Sequence, residues 1–244
     1  MRLHITGATG YLGSELARLR PDASTERVEI RDAAAVDELL RRVRPEAVIH
    51  TAYRQEGPEA RAINVDAAEI VARSVARIGA RLVHLSSDVV FDGRKGSPYV
   101  EEDPPTPVSE YGRTKADAEG RVAAAHPEAL LVRTSLIVGG ATPSKHELAA
   151  AGPGPWYTNE IRSPVQVTDL ALALLELGEL EVAGPLHVAG ADAVSRAELA
   201  ELVVGRPVAT AVAPPTRPLD CRLDSSRAQA LLRTRLRGVR EVLA

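Results

Sequence analysis

A doubly wound parallel α/β sheet of the Rossmann type, followed by a small C-terminal lobe, is the fold class this sequence predicts. Three observations carry it. Short apolar runs alternate with helical patterns through the first half. A glycine loop, GATGYLG (7–13), joins the first run directly to the first helical pattern. A Gly- and Pro-rich stretch interrupts the alternation after Val138, and it resumes beyond residue 166.

Taken in order, RLHIT (2–6) reads as a buried strand and YLGSELARLR (11–20) as the start of a helix. ERVEI (26–30) is a second strand candidate. Asp32 is placed to cap a helix through AAVDELLRRV, with Pro45 just beyond its end. AVIHTA (47–52) and RLVHLSS (81–87) are strands separated by one long helix over 58–78, with Pro58 in its first turn and Gly79 at its end. A helix over 109–125 precedes a strand at ALLVRTS (129–135). The stretch 139–164, which holds the single tryptophan, reads as a loop or lid over a site or, equally, as a surface connection. A helix (167–178), a strand (184–190) and a helix (195–205) follow, and the tail suggests an extended piece and one or two helices. We divide the chain into a dinucleotide-binding core, 1–137 plus 163–189, and a substrate lobe, 138–162 and 190–244, within one compact unit.

Composition narrows the function classes. The net charge of −3, with no block of like charges, argues against a general nucleic-acid binder. One cysteine, Cys221, excludes an internal disulfide and fits a reducing cytoplasm. No run approaches the roughly 18 apolar residues that span a bilayer, and the N-terminal run has no signal-peptide pattern. The six histidines are dispersed without ligand spacing, so no metal is expected. His50 and His84 fall in strand runs and read as core or sheet-end residues, and His146 as solvent-exposed.

Two clusters carry chemistry. Gly7, Gly10 and Gly13 have separate tasks in a phosphate loop: a tight turn, close approach of backbone to a pyrophosphate, and helix–strand packing. Thr9, Tyr11 and Leu12 complete that loop, and the helix start offers free N–H groups to anions. Asp32 stands at a distance suited to ribose hydroxyls, a role that coexists with capping. The loop has no basic residue for a 2′-phosphate; Arg20, Arg27 and Arg31 are candidates, and the cofactor is NADP(H) or NAD(H), with a slight lean to NADP(H). At the other end, Ser86 and Ser87 close a strand, and Tyr111 and Lys115 stand one helical turn apart in YGRTK. Tyrosine ionises near pH 10. A neighbouring ammonium favours the phenolate and makes the phenol a better acid. With a hydroxyl such as Ser87 to hold a carbonyl, the set describes ketone reduction by a nicotinamide, with Tyr111 as proton donor.

These residues resemble the extended branch of the short-chain dehydrogenase/reductases, and more narrowly the dTDP-4-dehydrorhamnose reductases. The matching segments, in family order, are GATGYLG, RPEAVIHTAY, LVHLSSDVVFDG, YVEEDPPTPVSEYGRTK with Glu119 following, VRTSLIVG, RSPVQVTDLA and RPLDCRLD. The resemblance implies that Tyr111 is the acid/base residue, that Lys115 binds the nicotinamide ribose, and that Ser87 replaces the family's usual threonine. It implies that Ala52 and Tyr53 line the cofactor and that Asp32 lies beside the adenine. Arg217 becomes a candidate contact for a nucleotide sugar, and Val89, Trp156 and Arg162 are further substrate candidates. Three segments depart from the pattern. The strand between the first helix and VEIRD is reduced to RPDASTE, the loop after AAY is short, and the segment after RTS is trimmed. The expected activity is reduction of a keto group on a nucleotide sugar or a related small ketone, by a monomer or homodimer. The alternatives are a reductase of an unrelated ketone and a non-catalytic NAD(P)-binding subunit.

Overall fold

The structure, a computed structural model, describes residues 1–244. Its centre is a five-stranded sheet whose strands follow the apolar runs: β1 (Leu3–Thr6), β2 (Ala47–His50), β3 (Arg81–Ser87), β4 (Leu130–Thr134) and, from the second half, a strand at Gly184–His187. They are ordered in the sheet as in the sequence. β1 and β2 pair in parallel with Leu3 opposite Ala47, and β2 and β3 in parallel with Ala47 opposite Arg81. Every residue of β1 and β2 is buried, as expected of strands covered on both faces.

The helices between the strands are α1 (Tyr11–Leu19), α2 (Ala33–Val43), α3 (Ala67–Arg77) and α4 (Glu110–Ala125). Asp32 caps α2 by accepting from the N–H groups of Ala34 and Ala35. α2 closes at Arg44, which takes a left-handed conformation (φ 48°) immediately before Pro45. The chain then divides into two compact units. The first comprises Met1–Ser86, Arg113–Val132 and Ala171–Pro185, and the second Ser87–Gly112, Arg133–Leu170 and Leu186–Ala244. The core of the first packs Val36 and Leu40 of α2, Val71 and Val75 of α3, and Ala118 and Val122 of α4 on Val48 and Leu82. Each such buried valine or leucine side chain contributes about 1.5–3 kcal/mol.

Three expectations need correction. Residues 26–30 form no strand. Val28 and Ile30 pack against the first unit's core, which accounts for their alternating pattern, but their backbone pairs with no neighbour. The outer edge of β1 is met only at Ser24, which bridges His4 in parallel, so the half-sheet that follows the first helix in a doubly wound fold shrinks to a single bridge. The long helix over 58–78 is interrupted: Ala62–Asp66 form a π-helical turn ahead of α3. The stretch 139–164 is built rather than a plain loop. It holds β5 (Ile137–Val138, at its entrance), α5 (Lys145–Ala150) with a Ser144/Glu147 capping box, β6 (Trp156–Tyr157) and β7 (Ile161–Arg162).

The remainder runs β8 (Val165–Gln166), α6 (Val167–Leu177), β9 (the Gly184–His187 strand), β10 (Val194–Ser195), α7 (Arg196–Val204), β11 (Thr210–Ala211), α8 (Ser226–Leu231) and α9 (Val239–Val242). In the second unit β7 pairs with β10, β6 with β11, and β5 with β8. No helix is long and apolar enough to cross a membrane.

Candidate active site

The glycine loop owes its shape to packing at two of its three glycines. Gly7 is left-handed (φ 74°), and a Cβ there would meet the Ala52 nitrogen and Thr51 Oγ1 at 2.7 Å. A Cβ on Gly13 would lie 2.1 Å from the Gly7 carbonyl oxygen, so α1 rests on the loop itself. Gly10, the N-cap of α1, meets nothing closer than 3.3 Å. Two glycines are therefore held by packing, while the third leaves an open backbone face at the N-terminus of α1. A pocket of 170 Å³ in the first unit joins Thr6, Gly7, Ala8 and Thr9 to Ala52 and to Thr25, Glu26, Arg27 and Val28. Leu12 is buried and Tyr11 begins α1. Asp32 does not line the pocket; its carboxylate serves the start of α2.

At the chemical end, α4 carries Tyr111 and Lys115 one turn apart. In the second unit, the start of α4 comes against the turn Asp88–Val90 at Gly112, where an added Cβ would stand 2.2 Å from the Val89 carbonyl oxygen. Glycine at 112 thus brings Tyr111 beside the Ser87–Val89 segment. Ser87 donates to Asp88 Oδ1 at 3.2 Å and accepts from the Val89 N–H at 3.4 Å, both long bonds that leave its hydroxyl available.

In the first unit, Lys115 is 3% exposed and donates from Nζ to the Leu85 carbonyl at 2.5 Å. Burial lowers its pKa to about 8, opposed by the Glu119 charge. Glu119 is in turn held by Ser86, which donates to Oε1 at 2.5 Å. His50 and His84 are both buried, with rings stacked 5.3 Å apart. Burial, and then the Lys115 charge, holds both imidazoles neutral, His50 at about 3 and His84 well below its usual value. His50 Nδ1 shares a 2.6 Å hydrogen bond with Thr6, whereas neither ring nitrogen of His84 has a partner.

Asn64 is a residue the sequence reading missed. It lies buried in the π-helical turn, and its side chain takes both the N–H and the carbonyl of Arg54 at 2.8 Å. It also donates to Thr114 Oγ1 at 3.1 Å. The amide thereby clamps the segment after β2, which carries Ala52 and Tyr53, to the helix that carries Lys115. A lone asparagine inside a helical pattern gives no signal of this; the π-helical turn, a common device at functional sites, gives one. Tyr53 itself is 45% exposed.

The second unit holds an ionic chain. Arg162, expected as a substrate contact, is almost fully buried and spends its donors internally. They go to the carbonyls of Ile161, Pro218 and Leu219 and to Glu160, with Asp88 at 3.6 Å. Asp88 also accepts from Ser135 at 2.6 Å; burial raises its pKa against these partners. Glu160 extends the chain to Arg217 at 2.8 Å, and the Arg217 guanidinium lies 5.0 Å over the Tyr157 ring. Arg196, which the sequence reading passed over, lies 5.6 Å over Trp156 and has an unpartnered Nη1. His146, expected in solvent, is half-buried. Burial lowers its pKa to about 3, aided by Lys145, Arg196 and Arg162. No group of three or more His, Cys, Asp or Glu is placed to hold a metal ion.

The chain is similar to known proteins along most of its length. The dTDP-4-dehydrorhamnose reductase of Mycobacterium tuberculosis is 39% identical over 221 residues, covering 80% of this chain and 72% of the relative. Methionine adenosyltransferase 2 subunit beta of Rattus norvegicus is 29% identical over 280 residues, covering 94% and 82%. Among solved structures, a hypothetical dTDP-4-dehydrorhamnose reductase from Sulfolobus tokodaii superposes with a TM-score of 0.83 at 30% identity, covering 98% of this chain and 97% of that one. The Bacillus anthracis dTDP-4-dehydrorhamnose reductase, solved in complex with NADP, gives 0.84 at 24% identity over 99% and 96%, a likeness of fold. The family described as the RmlD substrate binding domain matches residues 1–244, and the chain belongs to that family.

Proposed function

We propose that this chain is an NAD(P)H-dependent ketoreductase that reduces a keto group of a nucleotide sugar, with Tyr111 as the proton donor. One observation carries the reading: a buried lysine with a lowered pKa, held to a strand-end carbonyl one helical turn from a tyrosine. Buried cations with lowered pKa values and a specific polar partner cluster at functional sites.

The Gly10 face and the start of α1 would hold the cofactor's pyrophosphate, Ala52 and Tyr53 would line it, and Lys115 would reach its ribose. When bound, the nicotinamide supplies hydride. The chain's own residues do the rest. Ser87 turns its weakly held hydroxyl from Asp88 to the substrate carbonyl oxygen. Tyr111 gives that oxygen its proton, so C=O becomes CH–OH. The Lys115 ammonium stabilises the phenolate left behind. We assign 138–162 and 190–244 as the substrate lobe. There the Arg217 and Arg196 cations beside Tyr157 and Trp156 suit an anionic, ring-bearing substrate such as a sugar diphosphate linked to a nucleoside. Arg162 acts in this reading through Glu160, fixing Arg217, rather than by touching substrate.

The test is NADPH or NADH oxidation with dTDP-linked 4-keto sugars; turnover is expected, and tight cofactor binding without turnover on any of them would exclude the substrate class. A second reading, a non-catalytic NAD(P)-binding subunit, is favoured by the similarity to methionine adenosyltransferase 2 subunit beta. Absence of turnover together with co-elution with a catalytic methionine adenosyltransferase subunit would establish it instead.

A further inference from the structure

A serine hydroxyl has one hydrogen to give. Ser87 gives it to Asp88 Oδ1, whereas the reduction proposed above needs it on the substrate oxygen. Asp88 is buried, and as a carboxylate it can only accept. Its polar neighbours are unequal. Ser135 donates to Oδ2 at 2.6 Å and Ser87 to Oδ1 at 3.2 Å, while Arg162 Nε stands 3.6 Å from Oδ2, beyond hydrogen-bond range. The same guanidinium reaches Glu160 at 3.2 Å, and Glu160 is shared with Arg217 at 2.8 Å. Asp88, Arg162 and Glu160 are all buried, but 46% of the Arg217 side chain is exposed. Of the charged members of this chain of contacts, a ligand can reach only Arg217, and the Ser87 hydroxyl lies at the opposite end.

We propose that Asp88 sets the direction of the Ser87 hydrogen bond, and that an anionic group bound at Arg217 reverses it through Glu160 and Arg162. The inference rests on the reading of Arg217 as a substrate contact and deepens it. An anion that draws Arg217 away leaves Glu160 with one close cation in place of two, so Glu160 tightens on Arg162. The long Arg162–Asp88 contact is the one that yields. A buried carboxylate that loses its cation takes a proton from water rather than stay charged. Asp88 then donates to Ser87, and Ser87 turns its own hydrogen to the ketone oxygen. The charged and titratable groups around Asp88 are Arg162, Glu160, Arg196 and the Cys221 thiol. Burial already raises the Asp88 pKa, and the Glu160 charge adds to the rise. Arg162 is foremost among the groups that hold it down, ahead of Ser135 and Ser87, so its withdrawal is the decisive change.

The test is calorimetric titration of dTDP-glucose into the full chain with NADPH present, in two buffers of different ionisation enthalpy. The diphosphate of this ligand has no proton that titrates near neutral pH, and its sugar has no ketone, so no turnover enters. Binding should take up about one proton per ligand. Asp88→Asn should abolish the uptake. Glu160→Gln, which cuts the chain between Arg217 and Arg162, should abolish it too while the ligand still binds; it carries the same arm if Asp88→Asn does not fold. Binding without uptake by the unaltered chain overturns the proposal and leaves the substrate reading standing, and so does uptake that survives either variant. Absence of binding overturns both together. Uptake that vanishes in the variants, in a chain that reduces no keto sugar, upholds this proposal and rejects only the reaction.

Discussion

The two ends of the glycine-loop side of this molecule are built by opposite means. Around Lys115 the buried polar groups hold one another, Lys115 on Leu85, Ser86 on Glu119, Asn64 on Arg54 and Thr114, with the ring nitrogens of His84 as the exception. At the adenosine edge, residues 25–27 are exposed, β1 is met by one bridge, and the charges are surface pairs such as Arg31–Glu29 and Arg42–Glu26. Exposed pairs contribute about 0–1 kcal/mol each, whereas an orphaned buried polar group costs about 1–3 kcal/mol. Substitution is therefore expensive around Lys115 and cheap along residues 25–27.

Substitutions at the two ends should differ in size. The largest effect is expected from Tyr111→Phe, which should lower the reduction rate by about 10²–10⁴-fold, the usual contribution of a general acid, while calorimetric cofactor affinity stays as it was. Normal turnover would remove Tyr111 from the mechanism. Next, Gly112→Ala should cost about 3 kcal/mol or more or displace the start of α4, because its Cβ has only 2.2 Å to the Val89 carbonyl oxygen. Urea unfolding and kcat read the two outcomes, and a neutral result would mean that α4 shifts freely.

Proton linkage gives a third test. Burial lowers the Lys115 pKa to about 8, so the ammonium that we propose assists Tyr111 is present below that pH and lost above it. The reduction rate should fall above about pH 8, and a rate flat to pH 10 would contradict the assigned role. A fourth concerns His84. Its folded pKa, like that of His50, is depressed, so the unfolded chain binds more protons once pH falls below about 6.5. Stability therefore rises with pH up to that value and is lost on acidification. His84→Leu removes two partnerless nitrogens and should raise stability at pH 7 by about 1–3 kcal/mol while flattening the acid slope; urea midpoints at two pH values decide it. The smallest effect belongs to the adenosine edge: Asp32→Ala removes the α2 cap and should cost about 1 kcal/mol, read as a lower Tm, with cofactor affinity unchanged if capping is its whole role.

The difference between the two ends also explains what was legible in the sequence. YGRTK and GATGYLG are local patterns, and their spacing follows from the helix period and from the turn that opens α1, so both could be read without coordinates. The fold class followed from the same alternation of apolar runs. Residues 26–30 misled because Val28 and Ile30 satisfy a strand's alternation by packing on the core, while strand formation needs a partner edge that no local pattern supplies. Arg162 misled for a related reason: its partners, Pro218 and Leu219, lie more than fifty residues away, and only the folded chain brings them to it. Arg196 and Asn64 were missed because their significance lies in tertiary neighbours, Trp156 in one case and Arg54 and Thr114 in the other.

The close approach at Gly112 has a bearing on how such a protein diversifies. α4 leans on the main chain of residue 89, so the identity of the side chain at 89 plays no part in placing Tyr111. Val89 is partly exposed beside Ser87. Mutation can exchange it for a larger or more polar group while Tyr111 stays where it is. Residue 112 is frozen by that contact and residue 89 is free to drift, so the surface beside Ser87 can change its shape while the start of α4 keeps its place.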